Sequence, residues 1–391
     1  MLRSLYSGIS GLRAHQTMLD VTGNNIANVN TTGFKASATQ FQDTLSQMTQ
    51  GAGAGDAAQG GTNPAQVGLG VRVAGISTNF AQGSAQSTGR ATDMMISGSG
   101  FFVTSKGGEQ LYTRAGALDL DAQGRFVTPD GALLQGWKAV NGIVPAGGAV
   151  GNLAVDPQAT APARTTTGAS MGGNLPSDAA VGTQLVRDID VFDGTGNTRT
   201  MVLTFSRTAG GWAVTGDDGA GATGATNLSF TSGKQAPGMI TMPVGGITVD
   251  LTALTGYAGL NTLVSTGQNG SAAGTLQSFT LSPDGTIVGS FSNGAKEAVG
   301  KVAIATFTNA AGLEKAGASG YRATLNSGGA VVGSAGDPGV GTLSGGYLEM
   351  SNVDLSQEFT NLIVAQRGFQ ANSRIITTSD EVLQELTNLK R

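Results

Sequence analysis

From Asn352 to Lys390 the chain has no proline and a single glycine, Gly368, although 63 of its 391 residues are glycine. That glycine content is more than twice the usual share of about 7%. A segment so free of helix breakers can run as one continuous helix, and its apolar residues are spaced for one. Leu355, Phe359, Leu362, Gln366, Phe369, Ser373, Ile376, Asp380 and Leu383 step by alternating fours and threes, the stagger of a coiled-coil seam. A second stripe, Ile375, Ser379, Val382, Leu386 and Leu389, takes over toward the end, and Ser351 or Asp354 is placed to cap the start. Two stripes on one helix predict contact with more than one neighbour. The other end of the chain repeats the pattern. Leu2, Leu5, Ile9, Leu12, Gln16, Leu19, Gly23 and Ile26 step by threes and fours, and the first proline is Pro64. Gly8, Gly11 and Gly23 interrupt this helix, each costing about 1 kcal/mol of propensity. It therefore needs a partner to fold against. Periodicity alone does not separate a helical hairpin within one chain from helices that pack between chains.

Between residues 71 and 350 the texture changes to short Val/Ile/Thr/Phe runs broken by Gly, Asn and Asp, which predicts antiparallel sheets. The runs include Val71–Ile76, Met94–Thr104, Gln110–Thr113, Arg125–Thr128, Leu133–Val140, Leu185–Phe192, Arg199–Ser206, Gly211–Thr215, Gly246–Leu251, Ser278–Leu281, Thr286–Phe291 and Val299–Thr308. Residues 51–66, GAGAGDAAQGGTNPAQ, read as a flexible connector. A second Gly/Ala/Thr-rich zone, about 145–180, marks entry to a further β domain. The expected fold class is mixed and mainly β: terminal helices forming a coiled-coil-like domain, plus two antiparallel β domains, barrel- or sandwich-like, nested discontinuously. The expected boundaries are 1–34 and 352–391 for the helices, 35–70 for a connecting segment, 71–144 and 276–351 for the first β domain, and 145–275 for an inserted one. LDLDAQGRFVTPDGALLQGW and FTLSPDGTIVGSFSNG read as two similar hairpins, one on each side of the insertion.

Composition removes several functional classes. With no cysteine there is no disulfide and no thiolate metal site, and with one histidine, His15, a Ser-His-Asp triad hangs on one position. A net charge of −4 gives no electrostatic ground for nucleic-acid binding. No run approaches the ~18 apolar residues of a spanning helix. MLRSLYSGISGL lacks the apolar core and cleavage site of a secretory signal. Asp119, Asp121, Gln123, Gly124 and Asp130 fall at calcium-loop spacing, but the flanks read as strands and the last position lacks the bidentate Glu, so an Asp-rich hairpin turn is expected. Asp188 and Asp190 alternate on a strand and read as a solvated face rather than an acid–base pair. No glycine run carries a phosphate-binding Lys-Ser/Thr. His15 is expected at the surface of the first helix. The acceptor triplets at Asn30, Asn227 and Asn269 are of the kind that chance supplies in a chain rich in Asn, Ser and Thr. No catalytic, cofactor or metal site is expected.

The positive signal is Gly23-Asn24-Asn25-Ile26-Ala27-Asn28-Val29-Asn30-Thr31-Thr32-Gly33-Phe34-Lys35. Asparagine caps through its side chain and tolerates left-handed backbone, and Gly33 permits a sharp exit. The motif predicts a helix end followed by an Asn-braced turn anchored by Phe34. A plain helix C-cap needs one Gly or Asn; here Asn24, Asn25, Asn28 and Asn30 fall within seven residues.

SLYSGISGL followed by LDVTGNNIANVNTTGFKAS resembles the N-terminal signature of bacterial flagellar rod and hook proteins. GYLEMSNVDLSQEFTNLIVAQRGFQANSRIITTSDEVLQELTNLKR resembles their C-terminal signature, and YTRAGALDLDAQGRFVTPDGALLQGW resembles their β segment. Together these cover roughly 120 residues, while about 145–275 carries no signature. The length, the inserted β domain and RGFQANSR resemble the hook branch more than the distal rod branch, and the Gly/Ala-rich 51–66 stretch departs from the pattern. The resemblance implies a subunit of an extracellular tube in the hook/basal body, exported without a cleaved signal peptide. The tube joins rod to filament and bends as a universal joint while transmitting torque. The implied partners are further copies of the chain, the distal rod, hook–filament junction and hook cap proteins, and the export apparatus, with neither nucleic acid nor membrane insertion. The seam residues Leu2, Leu5, Ile9, Leu12, Leu19, Ile26, Leu355, Phe359, Leu362, Phe369, Ile376, Leu383 and Leu386 are then expected to carry assembly. Helices this dependent on partners suit export as a loosely ordered chain that orders on assembly. The rival readings are a rod component, a monomeric adhesive or carbohydrate-binding β module, and a secreted hydrolase. Only Trp137 and Trp212 would serve the second, and no acid–base cluster serves the third.

Overall fold

The computed structural model describes residues 2–55, 60–140, 142–145, 147–235 and 241–388. Two long helices bracket the chain, α1 over Leu2–Ala27 and α2 over Leu355–Asn388, and strands fill most of what lies between. The expected mainly β fold with helical ends is the fold observed. The Asp354 carboxylate starts α2 by accepting the backbone N–H of Ser356 at 2.8 Å and of Gln357 at 3.2 Å, satisfying two donors that the first turn leaves open.

After α1 come β1 (Ser37–Asp43), β2 (Ser46–Gln50), β3 (Ala65–Gly68) and β4 (Val71–Thr78). Strands β1 and β4 pair antiparallel with a bulge between Gln40 and Phe41, and β2 pairs with β3. Composition predicts a flexible connector over 51–66. Among the described residues of that stretch, β3 begins at Ala65 and an isolated bridge joins Gly53 to Thr62, so the segment is partly paired.

The chain falls into two compact units. The first comprises Met1–Val155, Thr280–Ile287 and Ala298–Arg391, and the second Asp156–Phe279 and Val288–Glu297. In the first unit, strand Phe101–Lys106 pairs with Glu109–Thr113 on one edge and with Leu133–Lys138 on the other. Glu109–Thr113 is followed in the sheet by Gly320–Arg322 and then Glu314–Gly317. Alternation along these strands buries Phe101, Val103, Tyr112, Trp137, Ala303, Ala305 and Tyr321 in one cluster. Its aromatic rings meet edge to face, Tyr112 with Phe307 at 4.8 Å and Phe80 with Tyr321 at 5.2 Å between centroids. The expected single run Met94–Thr104 is instead two strands, Met94–Ser97 and Phe101–Lys106. Gly98 and Gly100 both take positive φ between them, so the first strand turns away to pair with Thr342–Gly345.

The second unit is built around a pair of four-stranded sheets. Gln184–Phe192, Thr198–Thr208, Gly211–Asp217 and Thr223–Leu228 form an antiparallel meander. The other sheet runs Thr241–Val244, Ile247–Thr255, Gly168–Asn174 and Val264–Gln268. Here the all-antiparallel expectation needs one correction, since Gly168–Asn174 pairs parallel to Ile247–Thr255 across the intervening meander. Both sheets contribute to one core, with Val191, Met201, Leu203, Phe205 and Trp212 from the first and Met171, Met242, Val249 and Leu251 from the second. Among the described residues no helix is long and apolar enough to cross a membrane.

Candidate assembly interface

Helices α1 and α2 lie against each other antiparallel. Ser4 Oγ is 3.5 Å from Ser379 Oγ at one end, and Asn25 Nδ2 donates to Glu358 Oε1 at 3.1 Å at the other. The residues between them are mostly small or polar, with Ile375 and Ile376 set against Gly8. A Cβ on Gly11 would stand 2.6 Å from Asn372 Oδ1, and one on Gly368 would stand 2.5 Å from the His15 ring. Ala14, Thr22, Asn25 and Ala365 are buried in the same contact zone. Of the glycines that cost α1 helix propensity, Gly8 and Gly11 lie where the helices come closest, while Gly23 has nothing within 4 Å. His15, expected at the surface, is half-buried between Gly368 and Phe41, whose ring centroid is 5.9 Å away.

The staggered residues flank this contact and leave much of their apolar surface in solvent. Leu5, Leu12, Leu19, Ile26, Leu362, Ile376 and Leu383 are half-buried, and Ile9, Leu355, Phe359 and Phe369 are exposed. The side chains of Leu2 and Leu386 lie outside the described residues. On α2 the exposed set forms two stripes. Leu355, Phe359 and Ile363 follow at steps of four, with Phe359 52% and Ile363 55% exposed. Val364, Ile375 and Val382 recur after eleven and seven residues on another side of the helix, and all three are exposed. Ile363 and Val364 were missed by the sequence reading, because both fall between the positions of a strict a/d seam.

The asparagine motif closes α1 as a braced turn. Asn28 Nδ2 donates to Asn24 O at 2.9 Å, and Thr31 Oγ1 donates to Asn28 Oδ1 at 3.0 Å. Asn25 does more, donating to Ser37 O at 2.8 Å and accepting from Ser37 N at 3.0 Å, so one buried amide ties α1 to β1 and, through Glu358, to α2. Asn24 and Asn30 are exposed. Gly33 has φ of +67°, and a Cβ there would sit 2.5 Å from the backbone nitrogen of Ala115. Phe34 is half-buried, with Lys315 Nζ 5.2 Å from its ring centroid.

Directly after Phe34 lies a charge cluster that sequence reasoning did not find. Lys35 is fully buried and donates to Glu349 Oε1 at 2.5 Å and to Ala81 O at 2.7 Å. Glu349, also buried, accepts from Gly83 N at 2.9 Å and from Arg114 Nη1 at 3.4 Å. Burial lowers the pKa of Lys35 while the hydrogen bond and charge of Glu349 oppose it, and burial likewise lowers that of Arg114. Asn352 adds amide bonds to Ala36 N, Asn79 O and Ala81 O. The two signature ends of the chain are thus joined at one buried knot. The only available sequence signal was a lysine after an apolar anchor and a glutamate in a short strand, 314 residues apart.

The turns weighed as chemical sites have other work. Asp121 accepts from Gln123 N, Arg125 N and Arg125 Nε, Asp119 pairs with Arg90, and Asp130 pairs with Lys106 at 3.1 Å. Asp188 and Asp190 lie exposed on one strand face. Among the described residues no cluster of three or more His, Asp or Glu is placed to hold a metal ion.

The family described as flagella basal body rod protein matches residues 5–35, the flagellar hook protein FlgE/F/G D1 domain matches 95–169, and the flagellar basal body rod FlgEFG protein C-terminal family matches 344–389. The flagellar hook protein FlgE of Borreliella burgdorferi is 37% identical with all of both chains covered, and that of Escherichia coli is 36% identical with 98% of each covered. The flagellar basal-body rod protein FlgG of Bacillus subtilis is 35% identical, again with all of both chains covered. Identity sustained along the whole length, with family matches centred on the two helices and the knot between them, makes this chain a member of the flagellar hook protein family.

Proposed function

We propose that the chain is the structural subunit of a flagellar hook, a helical tube that bends while passing torque from rod to filament, and that it has no catalytic role. The observation that carries this reading is the pair of apolar stripes left open on α2 after α1 has taken the small-residue side. Burying about 25 cal/mol per Å² of such surface favours association strongly, and one chain's helices cannot cover both stripes. Neighbouring copies supply the cover, and because the stripes differ from each other the contact is head to tail and open-ended, which builds a helix rather than a closed dimer. Leu355, Phe359, Leu362, Phe369, Ile376, Leu383 and Leu386, with Leu2, Leu5, Ile9, Leu12, Leu19 and Ile26, carry these seams. The Asn24–Phe34 turn sets the direction in which the helix pair leaves the β body. The β regions, low in charge and rich in Gly and Thr, add weaker contacts that exchange as the tube flexes. The partners at the tube's ends are the distal rod, junction and cap proteins, and the subunit reaches the outside through the flagellar export apparatus.

The test is negative-stain microscopy of the purified full chain beside a Phe359→Asp/Ile363→Asp variant. Curved tubes from the parent and none from the variant, with matching thermal melts, support the proposal; tubes from both remove the stripes from the assembly. Full-length similarity to a rod protein favours a second reading, a rigid rod subunit, and that reading predicts straight tubes.

A further inference from the structure

The short hairpin Glu314–Gly317/Gly320–Arg322 carries an apolar projection at one end and a concavity at the other. The projection is Leu325, which is 105% exposed. A lone exposed leucine on a loose loop is ordinary, but this loop is held from every side. Thr324 Oγ1 donates to Gly312 O at 2.6 Å and accepts from Asn326 N and Ser327 N. Ser327 Oγ accepts from Thr324 N and donates to Thr324 O, both at 2.9 Å, and Ser327 is fully buried. Asn309 Nδ2 donates to Asn326 O at 3.1 Å. The turn fixes the backbone that presents the leucine, so little main-chain freedom is lost when a partner covers it.

The concavity, about 560 Å³, opens beside α1 where the hairpin tip approaches it, and its walls include Thr17, Val21, Phe34, Ile76 and Lys315. Ala318 and Ser319 form the tip with φ of +49° and +56°, a left-handed pair that a two-residue hairpin turn requires. Lys315 reaches across the wall, donating to Ser37 Oγ at 2.9 Å, and it makes no ion pair among the described residues. Partial desolvation at this wall lowers its pKa, although the side chain stays exposed. Glu314, the residue before Lys315 in the same strand, stands exposed beside Leu325. An apolar knob with an acid next to it thus matches a largely apolar hole whose wall carries the Lys315 amine as well as the Asp20 carboxylate.

We propose that Leu325 of one copy seats in the Thr17/Val21/Phe34/Ile76 concavity of a second copy, with Glu314 brought toward Lys315. The contact rests on the polymer reading above and names one of its interfaces. It is intermolecular because Leu325 is wholly exposed in its own chain and lines no part of that chain's concavity. It is head to tail because each copy presents one of each.

The chain has no cysteine, so introduced pairs report without background. The test compares the parent, Leu325→Asp, and the double variants Leu325→Cys/Thr17→Cys and Leu325→Cys/Asp20→Cys, all full length. Leu325→Asp is expected to raise the critical concentration for tube growth about tenfold, with an unchanged melt because the side chain is wholly exposed. At least one double variant, oxidised after assembly, is expected to give a ladder of covalent oligomers beyond the dimer. Parent tubes with no ladder from either pair, and Leu325→Asp assembling like the parent, overturn the contact and leave the polymer reading standing. Dimers from Leu325→Cys alone show a symmetric contact and overturn it too. A parent that forms no tubes overturns both.

Discussion

The paired sheets of the second unit and the terminal helix pair solve the burial problem in opposite ways. The sheets put Trp212, Phe205, Met201, Leu203 and their partners into one core with none of these side chains left in water. The helices place glycine, alanine, threonine and asparagine at the centre of their contact and leave much of the leucine, isoleucine, phenylalanine and valine surface in solvent. One arrangement is saturated within the chain and the other is not. The chain can therefore bury its β core fully and still leave apolar helix surface in solvent.

The largest way to break this contrast is within the saturated core. Trp212→Ala is expected to destabilise the second unit by about 3–5 kcal/mol, read as a lower urea midpoint. A loss well below that means the two sheets do not share the core described. Lys35→Met comes next, leaving Glu349 buried with Arg114 alone, and is expected to cost about 3 kcal/mol in the first unit while the second unit's transition stays in place. Joint loss of both transitions would show that the two units do not melt separately.

The glycines sharpen the comparison in both directions. Gly33→Ala forces a Cβ into the Ala115 backbone at positive φ and is expected to cost about 2 kcal/mol. Gly8→Ala places its Cβ at an ordinary 3.4 Å from Ile376 and is expected to stabilise the helix pair by about 0.5–1 kcal/mol. Thermal melts followed at the helical band separate them, and equal destabilisation by both would mean the helices are packed more tightly than their spacing shows. The smallest effect is acid sensitivity of the second unit. Hydrogen bonds from Thr195 and Asn197 hold Asp193 well below the usual carboxylate range, and backbone N–H groups of Ala220 and Thr252 depress Asp218 and Asp250. Their contribution is fully present above the ordinary carboxylate pKa, near 4, and is lost as pH falls through the lower folded values. A urea midpoint that does not fall across that window removes these turns from the stability of the unit.

How much of this the sequence carries depends on how far apart the cooperating residues are. The helices are legible because Leu355 to Leu383 repeats a local period, and the hairpins are legible because Gly, Asn and Asp mark each turn. The asparagine motif announces itself by density, yet only Asn25 of its four asparagines reaches across to both β1 and α2. The seam stagger correctly marks two long helices but not which side faces the partner, because Gly11, Asn372 and Gly368 carry no hydrophobic signal. The Lys35–Glu349–Arg114 knot is invisible for the same reason, since no periodicity links three charged residues on three separate segments. The parallel pairing of Gly168–Asn174 needs knowledge of which strands come together, and local patterns hold none.

The clasp between the two ends also sets a sequence of events. Asn25 with Glu358 and Lys35 with Glu349 are separated by 333 and 314 residues. Contacts of such span are the slowest to form, because the loop between them must first close. A chain that emerges gradually from one end cannot complete its opening helix and turn until the stretch from Glu349 onward is also present. The contact order of this one knot thus acts as a timer, keeping the helix pair from closing before the stretch from Glu349 onward has arrived.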